Sequence, residues 1–298
     1  MTIYSQISQN KLRTALLLFV FIAFFSFVFF VLGQTYGDPQ SYLVLGLLIS
    51  LFSGVGSYFY SDKIVLFMTG AKPADKRKYF DFYTVTENLA IASGLPMPKI
   101  YVIDDSSPNA FATGRNAKNS VICATTGLLS KLERAEIEGV VAHELAHIKN
   151  YDILLSSLVS VLVGTLVFIT DWIARSWWWS GFKRDDNNRQ AGPFFAILFI
   201  LTIIIAPVIA TLIQLAISRK REYLADASGV LVTRHPDGLA RALEKIASDP
   251  QPLRRVSGAT AHLFIANPLK GKKISSWAAG LFSTHPPIEE RIKILKEM

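Results

Sequence analysis

Residues 14–32, TALLLFVFIAFFSFVFFVL, run for 19 positions without a charge. A bilayer-spanning helix needs about 20 predominantly apolar residues, so this stretch alone narrows the folds open to the chain. Three more runs resemble it. Residues 41–60 are uncharged, residues 153–173 carry one charge (Asp171), and residues 194–217 contain Pro207, which kinks a helix. Hydrophobic residues make up 51% of the 298, and membrane segments account for that excess. Lys11 and Arg13 precede the first run as in a secretion signal. Its length exceeds a signal core and no A-x-A site follows, which favours an anchor. For the third and fourth runs, burial as a pair of core helices is the alternative.

Basic residues give the orientation. Residues 1–13 hold two, the loop 33–40 none, residues 61–152 eleven, residues 174–193 four and residues 218–298 fourteen. Cationic loops stay cytoplasmic, so the N-terminus and the 61–152 segment are expected there. The loop 174–193 is basic yet lies outside if runs three and four both span. The net charge of +8 fits this topology and anionic headgroups. No helix-turn-helix, RNA-binding or zinc-finger pattern points to nucleic acid. Cys123 is the single cysteine, so no intramolecular disulfide forms, as in a reducing compartment.

The polar parts carry the chemistry. Residues 79–94 have helical spacing ending at glycine; residues 99–104, 109–114 and 120–125 read as strands. Ser130 and Glu133 are spaced as a capping box opening a helix over 132–150. Further helices are expected over 218–233, 237–247 and 287–298. The 132–150 helix contains VVAHELAHIKN. His143 and His147 are four apart, hence on one face, and can share a metal ion. Glu144 beside them is suited to act as general base. A catalytic zinc takes three protein ligands and keeps a position for water. Glu222 in REYLADASG is the candidate third ligand, and Asp226 one turn on is assigned by analogy to His143. His285 in THPP and Arg291 in PIEERIKIL are candidate oxyanion donors. Their alternatives are a helix cap for His285 and a salt bridge for Arg291. His235 reads as a turn residue and His262 as a packed strand-edge histidine.

Both halves of the metal site flank the hydrophobic insertion 153–217. They must meet at one ion, so runs three and four cross twice or not at all. The zinc-bearing helix is expected to continue toward the bilayer, six residues separating His147 from Ile153.

The membrane pair, NAFATG, AHELAHIKNYD, SRKREYLADASG, and HLFIANP followed by STHPPIEERI together resemble the HtpX-like membrane zinc metalloproteases. That family is related to the CAAX prenyl-protein peptidases. The resemblance covers nearly the whole chain. It implies a mostly α integral membrane protein with a small β-sheet, built around a zincin-type (gluzincin) catalytic domain. It implies one zinc ion held by His143, His147 and Glu222, with Glu144 as catalytic acid/base. It also implies an edge strand at Asn109, Ala110, Phe111 and Ala112, where a substrate adds by backbone hydrogen bonds. The expected activity is endopeptidase cleavage of membrane or misfolded polypeptides in quality control, at the cytoplasmic face of the inner cell membrane. The expected organisation is a transmembrane hairpin (1–60), a first catalytic part (61–152), a second hydrophobic hairpin (153–217) and a second catalytic part (218–298). A prenyl-protein peptidase and an inactive zinc-binding scaffold remain as rival readings. Nothing in the sequence sets an oligomeric state.

Overall fold

Two long helices joined by a two-residue turn open the chain in this computed structural model, which describes residues 3–181, 218–268 and 286–298. They are α1 (Ile3–Tyr36) and α2 (Pro39–Thr69). Asp38 caps α2 by accepting from Ser41 N–H at 3.2 Å, and Pro39 sits in its first turn, where a missing N–H costs nothing. Gly46, Ser50, Gly54, Ser57 and Ser61 recur every three or four residues on the buried face of α2. Small residues let helix backbones approach closely in an apolar medium. The opposite faces stay bare, with Phe19, Phe27, Phe52 and Phe67 exposed, as lipid contact requires. Segments Ile7–Val31 and Pro39–Thr69 are long and apolar enough to cross a membrane. Helix α2 runs past residue 60 to Thr69, where Gly70 ends it in the left-handed conformation.

The sheet follows. Strands β1 (Lys72–Pro73), β2 (Lys99–Ile103), β3 (Ala110–Asn116) and β4 (Asn119–Thr125) lie in the order β1-β2-β4-β3. β2 and β4 are parallel, and β3 is antiparallel to β4 with Phe111 opposite Cys123. β3 is therefore an edge strand. Helices α3 (Phe80–Ser93), α4 (Thr126–Lys131) and α5 (Arg134–Lys149) pack around the sheet with α7 (Arg219–Thr233), α8 (Pro236–Ser248) and α9 (Ile288–Lys296). The short α4 was not anticipated and moves the start of the next helix. Thr125 caps α4, Leu132 is extended, and the capping pair at α5 is Glu133 with Glu136, not Ser130 with Glu133. Glu136 accepts from Glu133 N–H at 2.8 Å.

One expectation for the region after the zinc motif is corrected. Helix α5 does not continue into the apolar run. It stops at Lys149, Tyr151 takes a left-handed φ of 60°, and α6 (Asp152–Gly181) leaves at 84°. Of the two readings of the third apolar run, its described part favours packing on protein. Leu155, Leu158, Val159, Leu162 and Leu166 are buried against Leu17, Phe21 and Phe25 of α1. These side chains form one apolar cluster, so α1 belongs to the same core as α6, held by close packing as between helices in an apolar medium. The fourth run, 194–217, lies outside the described residues.

Candidate active site

Helix α5 presents its two histidines to α7 because α7 packs unusually close. Gly229 makes this possible: a Cβ there would lie 3.1 Å from His143 N. The approach brings Glu222 to the histidines. His143 Nε2 and His147 Nε2 are 3.1 Å apart, and Glu222 oxygens lie 3.7 and 3.6 Å from them. The three donors fall within 4.8 Å of one another. Bonds of about 2.0–2.2 Å in tetrahedral geometry need donors roughly 3.3–3.5 Å apart, so the set fits one zinc-sized ion. Both outer nitrogens are held: His143 Nδ1 faces Asp226 Oδ1 at 2.8 Å, and His147 Nδ1 faces Asp152 Oδ2 at 3.0 Å. That leaves both Nε2 lone pairs for a metal.

Glu144 is buried in the wall of the same cavity, which also includes Ala112, Ser156, His262 and Phe264 and encloses about 40 Å³. That volume takes an ion and a water. Burial lifts the Glu144 carboxyl to about 7, with Glu222 adding to the rise and His147, Arg291 and the Ala112 N–H opposing it. His147 moves the other way from a simple buried base. Burial pulls its imidazole down, but Asp152, Glu222 and Glu144 outweigh burial and hold it at about 9. His143 is lowered, burial prevailing over Asp226. Asp226 stays acidic despite burial because Arg291 and His143 stabilise its charge.

Arg291 is brought to the site, on the side away from the cavity. Its Nε and Nη2 donate to the two Asp226 oxygens at 2.8 and 2.7 Å, and Nη1 donates to the Ile265 carbonyl at 3.0 Å. It stands behind His143, with Nη2 3.4 Å from Nδ1, and so matches the salt-bridge alternative. His285 lies outside the described residues. Asp152 escaped the sequence reading, although an acid five residues past the second histidine was its signal. His262 was expected at a strand edge. It sits instead on a 3-10 turn (Ala261–Leu263) and reaches Ser156 O at 3.2 Å and Ser160 Oγ at 3.3 Å.

The β3 edge is partly in use. Asn109 O accepts from Thr125 N–H across the sheet, so by alternation Ala110, Ala112 and Gly114 turn their backbone outward. Ala110 O accepts from Ile265 N–H at 2.9 Å, Ala112 N–H points to Glu144, and Gly114 N–H donates to Ser157 Oγ at 3.1 Å. Asn109 holds the Ala266 carbonyl at 3.0 Å, and Phe111 stacks edge-on against Phe264. The Ala112 carbonyl is left facing outward beside Glu144.

The sequence profile of Peptidase family M48 matches residues 80–298. Similarity to curated proteins described as "Protease HtpX homolog" extends over the full chain. The protein from Dictyoglomus turgidum is 43% identical over 297 residues, covering 100% of this chain and 95% of its own. That from Caldanaerobacter subterraneus subsp. tengcongensis is 42% identical over 304 residues, covering 100% and 98%. That from Tropheryma whipplei is 43% identical over 295 residues, covering 99% and 98%. Among solved structures, the crystal structure of S. mikatae Ste24p is 18% identical at a TM-score of 0.49, covering 98% of this chain and 67% of that one.

Proposed function

The chain belongs to peptidase family M48 and is a membrane metalloprotease, and we propose from that premise that it is a zinc endopeptidase cleaving membrane or misfolded polypeptides. His143, His147 and Glu222 hold the ion. One observation carries the reading: three donors spaced for one ion, with Glu144 buried in the same cavity. Zinc bound there supplies a Lewis acid that polarises the scissile carbonyl and makes water acidic near neutral pH. Glu144 accepts the proton of the attacking water at its carboxylate and returns it to the departing amide nitrogen. Asp226 and Asp152 fix the imidazole rings, and Arg291 fixes Asp226. The substrate backbone lies along β3 and bonds to the outward Ala112 carbonyl, displacing Ile265 from Ala110 where it extends further. His285 is the remaining candidate for the oxyanion.

The catalytic side faces the cytoplasm at the inner membrane, supported by the basic segments 61–152 and 218–298. The insertion 153–217 leaves and re-enters the catalytic part on one side of the membrane. Support comes from both of its ends: Asp152 and Arg221 lie 3.8 Å apart beside the site, so the chain returns to the side it left.

Chelation is expected to abolish cleavage of casein by the detergent-solubilised protein, and one equivalent of zinc to restore it. Full activity in metal-free protein, or equal restoration by magnesium alone, would sink the reading. A farnesylated peptide as parallel substrate separates a prenyl-peptide specialist from a general endopeptidase.

Metal binding is also expected to release protons at pH 7.5, His147 being one source. His147, at about 9 without metal, is protonated there and must give up its proton; His143, lowered, is already neutral. Zinc affinity therefore rises with pH up to about 9. The sign for the metal-free fold follows. A raised imidazole stabilises it fully below the unfolded value of 6.5 and loses that contribution as pH rises through about 9. Calorimetry in two buffers of different ionisation enthalpy counts the protons, and a count of zero would contradict the assignment.

A further inference from the structure

Asn10 is a polar residue buried near the start of α1, inside a segment otherwise built for lipid. A buried amide in such a helix is costly unless every group finds a partner. Here all do. Nδ2 donates to Asp152 Oδ1 at 2.7 Å and to the Asn150 carbonyl at 3.0 Å, and Oδ1 accepts from Arg221 Nη1 at 3.3 Å. Reversing the amide would set its oxygen against two acceptors, so the network fixes its orientation. These partners sit at three places that matter for the metal donors. Asn150 ends the helix carrying His143 and His147, Asp152 touches His147 Nδ1, and Arg221 precedes Glu222. Lys11 stacks over the Tyr151 ring at 4.9 Å, docking α1 on the same corner.

We propose that Asn10 is a positioning residue for the metal site: it holds the Asp152 carboxylate so that the other oxygen sets the ring of His147. The first membrane helix is thereby part of the zinc site at one remove, and membrane anchoring and metal affinity are coupled. The reason lies in competing donors. Asp152 Oδ1 has Asn10 at 2.7 Å and Arg221 Nη1 at 3.8 Å. Without the amide, the nearby guanidinium draws the carboxylate toward itself and away from His147 Nδ1. Aspartate at position 10 would repel Asp152. Only a side chain presenting two N–H groups and one oxygen satisfies the three partners together. The inference rests on the proposed zinc site.

The test uses the full-length protein in detergent, with zinc affinity read by competition against a chromophoric chelator. Asn10→Ser is expected to weaken zinc by 10–100-fold, the range seen when groups behind a metal ligand are lost. Gln9→Ser, the same change at the exposed neighbouring position, is expected to leave affinity unchanged. Asp152→Asn should weaken zinc similarly, and the double variant Asn10→Ser/Asp152→Asn should lose no more than Asp152→Asn alone. The visible absorption of the cobalt-substituted protein should shift alike in Asn10→Ser and Asp152→Asn and stay put in Gln9→Ser, which a general loss of packing would not produce. Affinity within twofold of wild type for Asn10→Ser, or losses that add in the double variant, overturns the proposal. So does an unchanged affinity in Asp152→Asn, whether or not Asn10→Ser folds. A wild-type protein that binds no zinc would instead refute the zinc site itself.

Discussion

Replacing Glu144 by glutamine is expected to lower kcat/KM for peptide hydrolysis by about 10²–10⁴-fold while leaving zinc bound, the range general acid–base groups contribute. Glutamine keeps the shape and still offers an oxygen to the Ala112 N–H, and none of the three metal donors changes. It loses the ability to carry a proton. Stability should not suffer. The raised carboxyl means the folded state disfavours the Glu144 charge, a cost that grows from pH 4.5 to about 7 and persists above it. The neutral variant escapes that cost and should melt at the same temperature or higher near pH 8. Metal analysis, steady-state kinetics and thermal melts on one preparation decide the matter. Retained cleavage at more than a tenth of the wild-type rate would remove Glu144 from the chemistry.

Arg291→Met carries the second large effect, on folding rather than chemistry. The guanidinium is 1% exposed and forks onto Asp226, with Glu222 3.5 Å from Nη1. Methionine fills much of the volume but leaves Asp226 as a buried carboxylate without its cation. Breaking such a pair from one side costs about 3–5 kcal/mol. The pH dependence is specific. Burial raises the Asp226 carboxyl and Arg291 is the chief group holding it down, so in the variant Asp226 takes up a proton more readily. The deficit should shrink as pH falls from 7.5 to 5.5, where wild-type Asp226 remains charged. Arg291→Lys supplies a point charge without the fork and should fall between the two. Denaturant unfolding at both pH values measures this, and a deficit under 1 kcal/mol at pH 7.5 would show that the pair does not support the fold.

The histidine pair was legible in the sequence because His143 and His147, four apart, share a helix face at any tertiary arrangement, whereas Glu222 and Asp226 stood out only through the resemblance to the gluzincin arrangement. What sequence spacing could not convey was direction. Arg291 was identified as a residue of the site, but which side of His143 it occupies depends on how α9 docks. In the sequence Asp152 lies between two stretches, 132–150 and the apolar run, that read as nearly continuous. The 84° bend at Tyr151 is what swings Asp152 back onto His147. Hydropathy likewise cannot tell lipid from protein, so the first turns of α6 read as a membrane run although α1 and the 3-10 turn cover them. Asn10 gave only a polar residue before an apolar stretch; its meaning lies in partners 140, 142 and 211 residues away.

Those separations have a consequence for synthesis. The ion site draws on α1 through Asn10, on α5 and α7 for its donors, and on α9 through Arg291, which secures Asp226 and with it His143. In the order a ribosome produces the chain, the first contributor is made near the start and the last only at position 291. The ion site is therefore completed late, after α1, α5 and α7 have all been made. A nascent chain that already carries the HELAH motif remains without the buried arginine that stabilises Asp226 behind His143 until residue 291 is added.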